Sequence, residues 1–245
     1  PVLILRCCFR MPRRVAYHWK LDSPREFPAA IAVTLIVFAV ANVWLLFSPV
    51  NFLSSSTLGE AYYTVSYMRR SYQIVYLVFE VLAISICKEL LLHGDMLHVL
   101  RQFGDWDAVI LTAVVAVCLS HSCTTILMEL TFSLVSGVAV LRSGSVVPAI
   151  FCRLLYHVML FGLFAMEIWQ SSFWQSYCLL FLFLVLIAGI LLCLLSIRPT
   201  RKNPALLTQK HYLTLRERLY TVMHVGPLSI VLILCVILMV IEVIF

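Results

Sequence analysis

The arrangement that most constrains this chain is a succession of apolar runs separated by short polar links. A helix needs roughly 20 predominantly apolar residues to cross the hydrocarbon layer of a bilayer. Runs of about that length fall at Pro28–Ser48, Tyr72–Leu92, Trp106–Leu127, Val146–Trp169, Phe173–Ile197 and Pro227–Phe245. A shorter one, Leu130–Leu141, carries Gly137 and needs neighbours or an extension to cross. The sequence therefore predicts an all-α, polytopic transmembrane helix bundle of about seven spans. Its parts are a basic N-terminal segment at 1–27, a six-span core at 28–197, a basic amphipathic loop at 198–226 and a C-terminal span at 227–245.

Composition supports the same class. Apolar residues make up 62% of the 245 and charged residues 12%, against roughly 25% charged in a soluble globular chain. That balance excludes disorder, nucleic-acid binding as the main role, and an ordinary water-soluble core. The chain starts at Pro1, which reads as a processed or truncated start. No signal peptide is evident, because Pro28–Ser48 is long enough to span and no small-residue cleavage pattern follows it. Most of the cysteines sit inside apolar runs (Cys87, Cys118, Cys123, Cys152, Cys178, Cys193, Cys235) and read as small hydrophobes. Cys7 and Cys8 lie in the basic N-terminal segment.

The basic residues sort by side. If all seven runs cross, fourteen Lys and Arg residues fall on the N-terminal side and only Arg69 and Arg70 on the other. The positive-inside rule then places the N-terminus inside and the C-terminus outside. Within the basic loop, Lys210–Met223 interleaves Leu213, Leu215, Leu219 and Val222 with cations and predicts an amphipathic surface helix near anionic lipid. Trp44, Trp106, Trp169 and Trp174 near span ends fit an aromatic belt.

Two cations remain inside the runs, Lys88 and Arg153, together with Glu80, Glu89, His93, His121 and His157. Intramembrane ionisable residues usually face the bundle interior and pair with one another. Glu89 and His93 are spaced i, i+4 and share a helix face, as do Arg153 and His157. Lys88 lies about 100° round the helix from Glu89, and Glu80 points away from Glu89. A carboxylate with a nearby histidine can activate water, and His or Arg can donate to an oxyanion. Glu89, His93, His121 and His157 are also the candidate set for a divalent cation. The competing reading is a buried ion-pair network, for instance Glu89 with Arg153, that fixes helix packing without turnover.

The order of these elements resembles the CPBP family, the CAAX-protease and bacteriocin-processing membrane proteins, over Cys87–Phe161. The family pattern is EExxxR, then FxxxH, then HxxxN after a GSxxPAI turn. Here the first element reads Lys88-Glu89-Leu90-Leu91-Leu92-His93 and the second Val117-Cys118-Leu119-Ser120-His121. The third reads Arg153-Leu154-Leu155-Tyr156-His157. Leu141-Arg142-Ser143-Gly144-Ser145-Val146-Val147-Pro148-Ala149-Ile150 is similar to the family's LRTGSLWPAI, and Leu100-Arg101-Gln102-Phe103-Gly104 to its LxxxFG. The resemblance implies a membrane endopeptidase fold in which the first glutamate and the second-motif histidine handle the water.

The departures fall on those working positions. The family's first glutamate is Lys88 here, its arginine is His93, and its third-motif histidine and asparagine are Arg153 and His157. Only Glu89 and His121 match unchanged. The resemblance therefore implies a degenerate member, a non-catalytic scaffold or accessory subunit of a membrane complex. Restoring Lys88→Glu, Arg153→His and His157→Asn is expected to be tolerated. The alternative expectation is an active glutamate/histidine endopeptidase on prenylated or signal-like peptides, with Glu89 and His121 as the reacting pair. A metal or small-ligand carrier is the third. The expected partners are membrane lipids and other membrane subunits, without nucleic acid, and a peptide substrate only if the site works. No cofactor is implied. The expected location is integral and multi-pass, an organellar inner membrane among the options.

Overall fold

The computed structural model describes residues 26–46, 85–120, 126–168 and 174–196, with isolated positions elsewhere. The N-terminal basic segment, the Lys210–Met223 helix and the C-terminal span lie outside these stretches apart from such positions. Glu80 and His121 lie outside them altogether.

Every element among the described residues is helical. The order is α1 (Glu26–Leu46), α2 (Ser85–Glu89), a π-helical stretch (Leu90–Met96), α3 (Leu97–Leu100), a 3₁₀ turn (Arg101–Phe103), α4 (Asp105–Ser120), α5 (Ile126–Ser143), α6 (Val147–Ile168) and α7 (Trp174–Ser196). Glu26–Val43 of α1 and Gln175–Ser196 of α7 are long and apolar enough to cross a membrane, while the apolar part of α6, Val147–Leu163, is shorter. The all-α membrane bundle expected from the apolar runs is what these helices form.

α1 and α7 lie against each other at close range. A Cβ added at Gly189 would come within 2.9 Å of the Ile36 side chain and 3.2 Å of the Ala32 carbonyl. Small residues permit such approach between membrane helices. Phe38 of α1, Met159, Leu160 and Leu163 of α6, and Cys178 and Leu182 of α7 form one buried core. The opposite face of α7 turns Leu180, Phe183, Leu184, Leu191, Leu194 and Leu195 outward, as a lipid-facing helix does. A second core joins Leu97 and Leu100 of α3, Ala108 and Val109 of α4, Val140 of α5 and Ala149 of α6. Gly137 serves that packing, with Val109 side-chain atoms 3.2 Å from where its Cβ would stand.

Two glycines set the turns. Gly104, at φ 132°, follows the 3₁₀ turn, and its carbonyl accepts from Ala108 N–H at 2.9 Å to open α4. Gly144, at φ 69°, ends α5, with its N–H on the Val140 carbonyl at 2.9 Å. This left-handed C-terminal glycine satisfies a carbonyl the helix would otherwise orphan. Ser145 Oγ then accepts from Val147 N–H at 3.2 Å, and Pro148 sits in the first turn of α6, where its missing N–H costs nothing.

Three boundaries differ from the sequence reading. The second run extends helically past Leu92 to Phe103. His93, Gly94 and Asp95, which follow the expected end of the run at Leu92, are buried. Ile126 and Leu127, which the sequence placed in the third run, belong to α5, which begins at Ile126. The fourth run is accordingly not short: α5 has 18 residues. Glu129, Ser133 and Ser136 break its apolar pattern, yet Ser133 and Ser136 are buried.

Candidate functional site

The polar centre is assembled by α2, the π-helical stretch, α5 and α6. Glu89 ends α2, and His93 follows one turn on in the π-helical stretch, whose wider coil closes with Leu97 N–H on the Leu92 carbonyl. Helical geometry alone brings the pair together, and His93 Nδ1 lies 2.6 Å from Glu89 Oε2. The Gly144 turn sends the chain into α6, which carries Arg153 to the same centre. Its Nε donates to Glu89 Oε1 at 2.9 Å. Glu89, His93 and Arg153 are 0%, 0% and 1% exposed.

Arg153 also reaches α5. Its Nη1 donates to Glu129 Oε1 and its Nη2 to Glu129 Oε2, each at 2.9 Å. This two-bond fork is the strong form of a charged hydrogen bond. The Phe132 ring lies beneath the guanidinium, with its centroid 4.4 Å from Cζ, and arginine stacks well on such a face. Lys88 Nζ donates to Glu129 Oε2 at 3.1 Å. Two carboxylates and two cations therefore neutralise one another across three elements. The Lys88–Glu129 end is the more open, with side chains 20% and 14% exposed.

His93 also meets Ser133 of α5, with Nε2 3.2 Å from its carbonyl oxygen and 3.4 Å from Oγ. With Nδ1–H donated to Glu89, a neutral His93 accepts from the Ser133 hydroxyl. A charged His93 donates instead to the carbonyl.

Lys88, Glu89, His93 and Arg153 are thus brought together as the sequence suggested. His157 stands one turn beyond Arg153 on α6 but joins no ion pair among the described residues. Its Nδ1 is buried without a hydrogen-bond partner among them, and its ring packs edge-on to Tyr156, 5.4 Å between centroids. The Glu89–His121 geometry required of an active site falls outside the described residues. Glu89, His93 and His157 do not gather as metal ligands, and no three His, Cys, Asp or Glu side chains do so among the described residues.

Glu129 is the member sequence reasoning missed. It fell in the link between two expected spans, so it was not counted among the intramembrane charges. The available signal was helical spacing: Glu129, Phe132, Ser133 and Ser136 recur at i, i+3, i+4 and i+7, one face of a helix.

Residues 70–159 match the family model for type II CAAX prenyl endopeptidase Rce1-like proteins. The matched segment contains Glu89, Leu100–Gly104 and Leu141–Ile150, residues on which the resemblance to the CPBP family rests. No curated protein and no solved structure matches the chain.

Proposed function

We propose that this protein is a multi-pass CPBP-type membrane protein whose polar centre has left hydrolysis and clamps helices together, as a scaffold or accessory subunit of a membrane complex. One observation carries the reading: both oxygens of Glu89 are taken, Oε1 by Arg153 at 2.9 Å and Oε2 by His93 at 2.6 Å. A carboxylate that activates water needs an oxygen within hydrogen-bond reach of that water. Here a water would have to enter a fully buried site and share an oxygen with a guanidinium or an imidazole. Lys88, at the position where the family places its first glutamate, offers Glu129 a charged donor rather than a base.

The clamp has a physical rationale in a bilayer. An arginine at the centre of a membrane helix costs roughly 2.5–3.5 kcal/mol on insertion scales. Two carboxylates on other elements offset that cost only when α2, α5 and α6 are docked, so the cluster ties one arrangement of helices to the charged residues. The basic segments of the chain suit anionic lipid on the inner side, and other membrane subunits are the proposed partners.

The test is a cleavage assay on the full chain in lipid nanodiscs, with a prenylated CAAX-type peptide and mass-spectrometric readout. The expected result is no cleavage above the empty-nanodisc control, and a stable complex with other membrane proteins on mild-detergent purification. Wild-type cleavage abolished by both Glu89→Ala and His121→Ala overturns the proposal.

A further inference from the structure

The charges of the cluster close only as a set of four. Lys88 and Glu129 meet at 3.1 Å, Glu129 takes both terminal nitrogens of Arg153 at 2.9 Å, and Arg153 Nε holds Glu89 at 2.9 Å. Among the described residues, Glu129 is the one carboxylate that forms ion pairs with both cations. It therefore sets where the Arg153 guanidinium points, and through it how Glu89 is held. With Lys88 and Arg153 positive and Glu89 and Glu129 negative, the formal sum is zero.

Changing one member leaves an uncompensated charge at a site that is almost dry. With glutamate at 88, three carboxylates face one guanidinium. With Arg153 also replaced by histidine, three carboxylates remain and the fork has no counterpart. Burying a charge without a partner is among the costliest changes a protein can suffer.

We infer that Glu129 is the positioning residue of the cluster and that the charges of Lys88 and Glu129 form a pair that can be removed only together. The triple reversion Lys88→Glu, Arg153→His, His157→Asn is then not tolerated while Glu129 keeps its carboxylate. The inference concerns pairing alone and holds whether or not the site turns over substrate.

The experiment compares K88E, K88M, E129Q and the double variant K88M/E129Q in the full chain. Each is purified in mild detergent and scored by monodisperse yield and thermal midpoint. K88E and E129Q are expected to lower the midpoint by about 10 °C, or to lose the monodisperse peak. The double variant returns the sum to zero, and its glutamine keeps an acceptor oxygen for Arg153, so it is expected to recover at least half of the E129Q loss. K88M removes a charge without adding an opposing one and costs less than half as much as K88E. A packing role for either side chain would not make the double variant better than E129Q alone. The inference is overturned if the double variant is no better than E129Q, if K88M is as damaging as K88E, or if K88E behaves as wild type. Cleavage by the wild type would strike the proposed function and leave this result unaffected.

Discussion

Arg153 and Glu129 meet as two forks, Nη1 on Oε1 and Nη2 on Oε2, each at 2.9 Å over the Phe132 ring. A lysine at 153 keeps the charge but cannot supply two parallel donors to Glu129 and a third to Glu89. Arg153→Lys is expected to destabilise by about 2 kcal/mol and Arg153→Met by about 3–5 kcal/mol, because methionine leaves two buried carboxylates without their main counter-charge. Thermal denaturation of the three proteins in one detergent checks the order. Equal loss in both variants would mean that the fork geometry contributes nothing beyond charge.

Glu89→Gln has a consequence that charge counting alone does not foresee. Arg153 Nε can only donate, so a glutamine at 89 must present its oxygen there and its amide nitrogen to His93. That nitrogen also donates, so His93 Nδ1 must become an acceptor and the proton must move to Nε2. The Ser133 carbonyl, 3.2 Å from Nε2, is placed to receive it. Nitrogen-15 spectra of histidine-labelled protein should show the His93 tautomer inverted between wild type and E89Q. An unchanged tautomer would place Glu89 elsewhere.

The helical runs were legible because lipid asks for length and apolarity, and both are visible in a string of residues. Within the cluster, Glu89–His93 was legible for a local reason, the i, i+4 repeat. Glu89 with Arg153 was available only as one of two readings, since nothing local says which helices touch. Glu129 was hidden by a boundary: with one span ending at Leu127 and the next starting at Leu130, it fell in the link, whereas α5 runs through it from Ile126. The π-helical stretch at Leu90–Met96 had no signal at all, because its composition is that of an ordinary helix. Partners from other elements decide whether His93 and Asp95 mark an end or a buried turn.

His98 gives the pH dependence a local source. It lies in α3, beyond the Tyr72–Leu92 run, half-buried near Arg101. Burial first, and Arg101 second, hold its imidazole below the ordinary value, with Asp95 opposing. The folded form therefore takes up a proton less readily than the unfolded chain. The stabilising contribution is complete above the unfolded value, about 6.5, and is lost as pH falls from there towards the lowered folded value. Thermal midpoints measured from pH 7.5 to 5 should drop less steeply in His98→Gln than in wild type. Parallel curves would remove His98 as a source.

The turn glycines separate what the matched segments do from what the pocket does. Gly144 at φ 69° occupies the left-handed region, which asparagine also tolerates, whereas Gly104 at φ 132° and ψ 151° lies where essentially only glycine goes. Gly144→Asn is expected to be nearly neutral, Gly144→Ala to cost about 1 kcal/mol, and Gly104→Ala about 2–3 kcal/mol. At about 2–4 °C per kcal/mol, midpoints should fall in that order. Both glycines belong to the segments most similar to the family, Leu100–Gly104 and Leu141–Ile150, while Lys88, His93, Arg153 and His157 depart from it. The retained segments thus carry backbone geometry that few residues other than glycine supply, and the departures lie on side chains of α2, the π-helical stretch and α6. If Gly104→Ala proves harmless, those segments are not held by backbone geometry, and another reason for their likeness must be sought.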